Sequence, residues 1–253
     1  MMRAILGGTA VAAVLAIAPA NTAQADPLGL YFGASGVIGI GELSSTSHYV
    51  VPEGIAAPLF EGNPTETFDI EGGGVNLRVG YMTELGGFLV GGELSGMMGS
   101  MVVDDTRRIR VGQAGTGYDD RFELSTPNAF EITDLVELRA LVGMTLGGGF
   151  SVFGTAGYAF GQGESMDGRI DRFAEPAAPG HGRTQDFDVD GYSFGVGTMY
   201  QLNDNAALTL QYTYTDFGSY DVPQQDFGIN ANGFEEELDI TLGRVEMGFV
   251  IGF

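Results

Sequence analysis

The chain has 253 residues, no cysteine, 42 glycines and a formal net charge of −22, and all 11 of its basic residues are arginine. The absence of cysteine excludes a disulfide framework and a thiolate metal site. The glycines follow no Gly-X-Y period, which excludes collagen, and so acidic a surface repels the phosphates that dominate nucleic-acid affinity.

Residues 1–25 read as a secretory signal. Arg3 provides the positive start, Ala4 to Ala18 an apolar run of mostly small residues, and Ala23-Gln24-Ala25 the small-x-small cleavage pattern, so the mature chain is expected to begin at Asp26. That run is too short for a comfortable helical span of about 20 residues. Glycine and charge break every later apolar run, so residues 26–253 could enter a membrane only as a closed barrel.

After Asp26 the dominant signal is a period of two, the mark of a β-strand with two unlike faces. The first strand is expected over Leu30 to Ile40. The second, about Ile70 to Met82, sets Val75, Leu77, Val79 and Tyr81 against Asn76, Arg78 and Gly80. The third runs from Phe88 to Met98. The fourth, Ile132 to Thr145, sets Val136, Leu138, Ala140, Val142 and Met144 against Glu137, Arg139 and Leu141. The fifth, Phe150 to Gly161, presents Val152, Ala156, Tyr158 and Phe160 on one face.

The sixth and seventh form the clearest hairpin, Tyr192 to Phe217, turning at Asn203-Asp204-Asn205-Ala206. Leu208, Leu210, Tyr212 and Tyr214 alternate there with Thr209, Gln211, Thr213 and Thr215. The eighth strand, Leu238 to Phe253, is apolar at Val245, Met247, Phe249, Ile251 and Phe253.

Short turns at 83–87, 146–149 and 203–206 fall at one end of these strands. Long polar loops at 42–68, 99–130, 162–188 and 218–237 fall at the other. An even strand number with this asymmetry is the pattern of an outer-membrane barrel, with periplasmic turns and extracellular loops. A soluble β-sandwich also alternates. Aromatic residues near both strand ends favour the barrel: Tyr81, Phe88, Phe150, Tyr200 and Phe253 on the turn side, Phe160, Tyr192 and Tyr214 on the loop side. They would form two girdles at the bilayer interfaces. The expected fold is therefore all-β, an eight-stranded antiparallel up-and-down transmembrane barrel.

Six charges lie on the polar face within the strands: Arg78, Glu93, Glu137, Arg139, Arg244 and Glu246. They are expected to gather in the lower middle of a lumen only just wide enough for side chains. Centring the first turn between Leu85 and Gly86 places Arg78 opposite Glu93, and Gly157, Gly195, Gly197 and Gly248 are expected to make room for the arginines. Paired charges there would form a salt-bridge plug; the sharper alternative is a gate that passes ions.

Three stretches carry a family resemblance. GYSFGVGTMYQLNDNAALTLQYTYTDFGSY at 191–220 resembles the last inner hairpin of small alphaproteobacterial outer-membrane proteins of the opacity-protein, OmpA-like barrel group. LRALVGMTLGGGFSVFGTAGYAFG at 138–161 is similar to the preceding hairpin, and GRVEMGFVIGF at 243–253 to the closing strand. The resemblance implies a mostly non-catalytic surface protein with roles in envelope integrity or surface contact, inserted by the barrel-assembly machinery and surrounded by outer-membrane lipid and lipopolysaccharide.

The only histidines, His48 and His181, lie in the expected loops. Pairing Ser47 with His48, or Ser165 with His181, satisfies no motif for a triad. Catalysis is not expected, nor is a cofactor. Glu53, Glu61, Glu66, Asp104, Asp105, Asp119, Asp120, Asp221, Asp226 and Glu235 to Glu237 crowd the loop rim. They read as a solvated, self-repelling surface, or as carboxylates that bridge divalent cations to lipopolysaccharide. The expected function is a structural or surface-interaction outer-membrane barrel; the alternative is a narrow pore or small-molecule channel.

Overall fold

Eight antiparallel strands follow one another around a closed barrel in chain order, and the first pairs with the last. The computed structural model describes residues 29–50, 65–111, 122–167, 183–222 and 233–252. The strands are β1 (Gly29–Val50), β2 (Thr65–Leu85), β3 (Phe88–Val111), β4 (Phe122–Gly147), β5 (Phe150–Asp167), β6 (Arg183–Asn203), β7 (Ala206–Val222) and β8 (Gly233–Gly252). The signal segment, His181 and the acidic residues Glu53, Glu61, Asp119, Asp120 and Asp226 lie outside the described residues.

The three short turns close one end. Gly86 and Gly87 join β2 to β3 with φ of 63° and 88°. That left-handed pair matches the twist of a tight hairpin and is open to glycine at little cost. Leu85 pairs with Phe88, so the turn is centred between Gly86 and Gly87, one residue later than expected. At the third turn the Asn205 amide donates to Asn203 Oδ1 at 2.9 Å, closing a polar turn without glycine.

Every strand runs well past its expected end. β1 continues from Ile40 to Val50, β3 from Met98 to Val111, and β4 and β6 begin at Phe122 and Arg183. Much of what read as loop is strand, because the alternation changes phase. Near the turns the apolar side chains point out: Val75, Tyr81, Phe194, Val196, Leu210 and Met247 are exposed. Farther along the same strands they point in: Phe68, Ile70, Val189, Phe217, Leu238 and Ile240 are buried. The outward positions there carry Glu42, Asp69, Glu71, Asp186, Asp188, Asp190, Asp216 and Asp239, all exposed. An outer wall of bare aliphatic and aromatic side chains requires lipid, whereas an acidic wall requires water. On β6 the apolar outer stretch from Tyr192 to Leu202 is 11 residues long, the length of one tilted transmembrane strand. The barrel therefore spans the bilayer with its turn half and stands clear of it with the rest.

Inside, two apolar clusters bracket a polar layer. Tyr31, Met82, Leu89, Leu141, Phe153, Met199, Ala207 and Val250 pack near the turns. Leu43, Phe68, Ile70, Met101, Val103, Phe130, Ile132, Ile240 and Leu242 belong to the larger cluster toward the other end. Bulges at Met97/Ser100 on β3 and Thr133/Val136 on β4 mark where the wall leaves the apolar belt. Asp134, with φ 50°, sits in the second of these.

Two seams part above that level. β2 and β3 share their last pair at Glu71↔Val102, and β6 and β7 at Tyr192↔Asp216. In both cases the strands continue while bonded to their outer neighbours.

Candidate functional site

The polar layer between the two clusters is the most concentrated chemistry among the described residues. β-alternation aims Asn76 and Arg78 on β2, Glu93 and Ser95 on β3, and Glu137 and Arg139 on β4 into the lumen. β7 adds Thr209, Gln211, Thr213 and Thr215, and β8 adds Arg244 and Glu246. All of them are buried. Three arginines face three glutamates, so the layer is balanced in formal charge.

Arg139 is the hub. Its Nη2 lies 2.5 Å from Glu137 Oε2 and 3.0 Å from Glu246 Oε1, and its Nη1 lies 3.5 Å from Glu93 Oε1. Glu137 carries the network on to Arg244, whose Nη2 is 2.7 Å from Glu137 Oε1 and also donates to Thr215 Oγ1 at 3.2 Å. Each carboxylate keeps another donor. Asn76 Nδ2 donates to Glu246 Oε2 at 2.7 Å, with Ser35 Oγ at 3.4 Å from the same oxygen. The Tyr31 hydroxyl donates to Glu93 Oε2 at 2.9 Å. Buried charges are tolerable in a medium of low polarity when they are so paired and hydrogen-bonded.

Five of the six expected residues, Glu93, Glu137, Arg139, Arg244 and Glu246, are thus joined in one network. Arg78 stands apart from it. The two-residue shift that follows from the observed turn pairs Arg78 with Ser95, while Glu93 lies directly across from Arg139. Among the described residues Arg78 makes no ion pair within 4 Å; its Nη2 donates to Thr209 Oγ1 at 2.5 Å.

The glycines also need correcting. A Cβ on Gly157, Gly195, Gly197 or Gly248 would first strike a neighbouring main-chain oxygen, Thr155 or the Phe153 ring, not an arginine side chain. Gly33 is the glycine that makes room: a Cβ there would lie 2.8 Å from Arg78 Nε and 2.9 Å from its Cγ. Sequence reasoning also missed Tyr31, Asn76, Thr209 and Thr215 as partners. Their parity places them on the lumen face, but nothing local says at which height they meet the charges.

Of the histidines, His48 falls on β1 opposite Glu235 of β8. No group of three or more metal-ligating side chains is present among the described residues.

The family profile described as outer membrane protein beta-barrel domain matches residues 9–235. No curated protein sequence matches the chain. Among solved structures, the outer membrane protein OprG from Pseudomonas aeruginosa is similar at 17% identity and a TM-score of 0.50, covering 91% of this chain and 98% of its own. The outer membrane protease OmpT from Escherichia coli is similar at 11% identity and a TM-score of 0.47, covering 92% and 99%. Ail, the attachment invasion locus protein of Yersinia pestis, is similar at 14% identity and a TM-score of 0.39, covering 89% and 99%.

Proposed function

The chain belongs to the outer membrane protein beta-barrel domain family and resides in the Gram-negative outer membrane, and from that premise we propose a non-catalytic, non-conducting barrel with a structural or surface-contact role. The observation that carries this reading is the filled lumen. An eight-stranded barrel has room for little more than its own inward side chains, and here those side chains alternate in layers. Apolar residues occupy both ends, and the charged layer between them is tied across β3, β4 and β8. On this reading Arg78, Glu93, Glu137, Arg139, Arg244 and Glu246 act together as a plug that holds strand register. A hydrated ion would meet the apolar clusters before and after the charges, and desolvation opposes it at both.

The finer placement, in the alphaproteobacterial opacity-protein, OmpA-like group, is carried by the hairpin at 191–220. The partners on this reading are outer-membrane lipid and lipopolysaccharide around the apolar belt, divalent cations at the acidic positions, and the barrel-assembly machinery during insertion.

Planar-bilayer recording tests the proposal. The parent protein and Arg139→Ala should both give no current. Discrete current steps from the parent would replace the plug with the alternative, a narrow pore.

A further inference from the structure

Above Tyr192↔Asp216 the wall between β6 and β7 is not closed by backbone pairing. β6 continues to Arg183 bonded to β5, and β7 continues to Val222 bonded to β8. The Tyr220 side chain crosses the gap. The Asp190 amide donates to the Tyr220 hydroxyl at 2.7 Å, and that hydroxyl donates to the Asp190 carbonyl at 2.9 Å. The strands are thus far enough apart for a whole tyrosine side chain to span them.

These two bonds also orient the edge. If Asp190 turns its N–H and C=O toward β7, the two-residue period turns those of Asp188, Asp186 and Thr184 the same way. Among the described residues no backbone partner meets them there. An exposed row of main-chain donors and acceptors is a template for another strand.

We propose that the β6 edge at 184–188 docks an extended segment of a partner protein in which basic and apolar side chains alternate. The backbone of that segment would add beside β6, as in strand addition to an open sheet edge. The charge pattern selects the occupant. The outward positions along the edge are Asp186, Asp188 and Asp190, with Asp216 and Asp239 across the seam, all exposed. Side chains on adjacent strands meet directly, so the outward residues of the occupant are lysine or arginine. The inward positions are Phe187 and Val189; Phe187 lies 5.6 Å from the Phe130 ring and 6.0 Å from the Tyr220 ring. This half-buried aromatic floor takes apolar side chains. Tyr220 holds the bottom of the seam shut and so fixes where the added strand begins. The proposal supplies a partner class for the surface-contact reading and rests on it; bilayer conductance plays no part in its test.

The full chain is folded in detergent micelles and titrated with a labelled peptide of alternating lysine and valine. The parent should bind it. Asp188→Pro removes the seam-facing amide while leaving the β5 ladder intact, because the N–H of residue 188 does not point to β5. It should weaken binding about tenfold, the scale of one or two hydrogen bonds, while keeping the heat-modifiable gel mobility of a closed barrel. The same peptide N-methylated on alternate amides should bind the parent about tenfold more weakly, and this comparison decides the matter if Asp188→Pro does not fold. Absence of binding to the parent would overturn the proposal. So would equal affinity of the methylated peptide, which would mean adsorption to acidic charge alone. Binding that falls as the barrel's own concentration rises would also overturn it, by showing that a second copy takes the edge.

Discussion

Replacing Arg139 by methionine should cost the barrel about 3 kcal/mol of unfolding free energy, at the lower end of the roughly 3–5 kcal/mol typical when a buried pair loses one partner. The reasoning starts from the charge count. The lumen layer holds three arginines and three glutamates, and the substitution leaves two against three. Arg139 is 2% exposed and its partners Glu93, Glu137 and Glu246 are 3%, 1% and 0% exposed, so no stranded carboxylate can turn to water. The loss stays near the lower end because each of the three keeps a partner, a hydrogen-bond donor for Glu93 and Glu246 and an ion pair for Glu137. Glu93 keeps Tyr31, Glu246 keeps Asn76, and Glu137 keeps Arg244. Adding Glu246→Gln to Arg139→Met restores two charges of each sign, so the double variant should be more stable than the sum of the single losses by about 1–3 kcal/mol. Reversible denaturant unfolding in micelles or liposomes measures both quantities. A single-variant loss below about 1 kcal/mol, or strict additivity, would refute the view that these charges are held as one desolvated network.

Gly33→Ala should destabilise by about 1–3 kcal/mol, because the new methyl would lie 2.8 Å from both Arg78 Nε and Val250 Cγ1; the same unfolding assay checks it. Val196→Arg, on the apolar outer wall, should cost about 2–4 kcal/mol, while Glu42→Arg on the acidic wall of β1 should change stability by less than about 0.5 kcal/mol. Equal costs would refute the placement of the lipid boundary between them. Replacing both Gly86 and Gly87 by alanine forces two left-handed residues, at about 1–2 kcal/mol each, and should show as reduced folding yield and a lower unfolding midpoint. Tyr220→Phe should speed hydrogen exchange of the Asp190 amide about fivefold, the equivalent of about 1 kcal/mol. Burial raises the Tyr220 phenol above its ordinary value. The phenol's donation to the Asp190 carbonyl is therefore complete below about pH 10 and is lost as pH rises through the raised value, while the phenolate oxygen still accepts the Asp190 amide. Exchange rates that do not respond to the substitution would remove Tyr220 as the closure of that seam.

Strand number, strand order and the membrane-facing side were legible because alternation is local. Side chains at Val75, Val79, Tyr81 and at Leu208 to Tyr214 declare their face through the residue two places away. The tight turns were legible for the same reason, since Gly-Gly and Asn-Asp-Asn are short-range signals. The extensions above the lipid were written in the same code and still read as loops. Leu238, Ile240 and Leu242 lie on the opposite phase from Val245, Met247 and Phe249, and prolines, acids and glycines between such runs resemble loop composition. What reverses the phase is the solvent outside the wall, and composition does not report that directly.

Parity alone places the six charges on the lumen face; their meeting depends on the closed barrel. Which lumen residue stands level with which is set by strand offset, and a turn centred one residue later moves every partner by two. That shift sets Arg78 opposite Ser95 in place of Glu93, while the separate register of β3 on β4 sets Glu93 opposite Arg139. Closure of β1 on β8 then brings Ser35 to Glu246, a pair separated by 211 positions in the chain. The open seam has the same origin. β6 keeps its alternation from Asp186 through Asp190, but β7 carries a bulge at Asp216/Gly218, where Gly218 takes φ 71°, and the last β6–β7 pair, Tyr192↔Asp216, falls at that bulge. The face of each side chain is a property of two neighbouring residues. Its height in the lumen sums the offsets of eight pairings, and that sum exists only once the barrel closes.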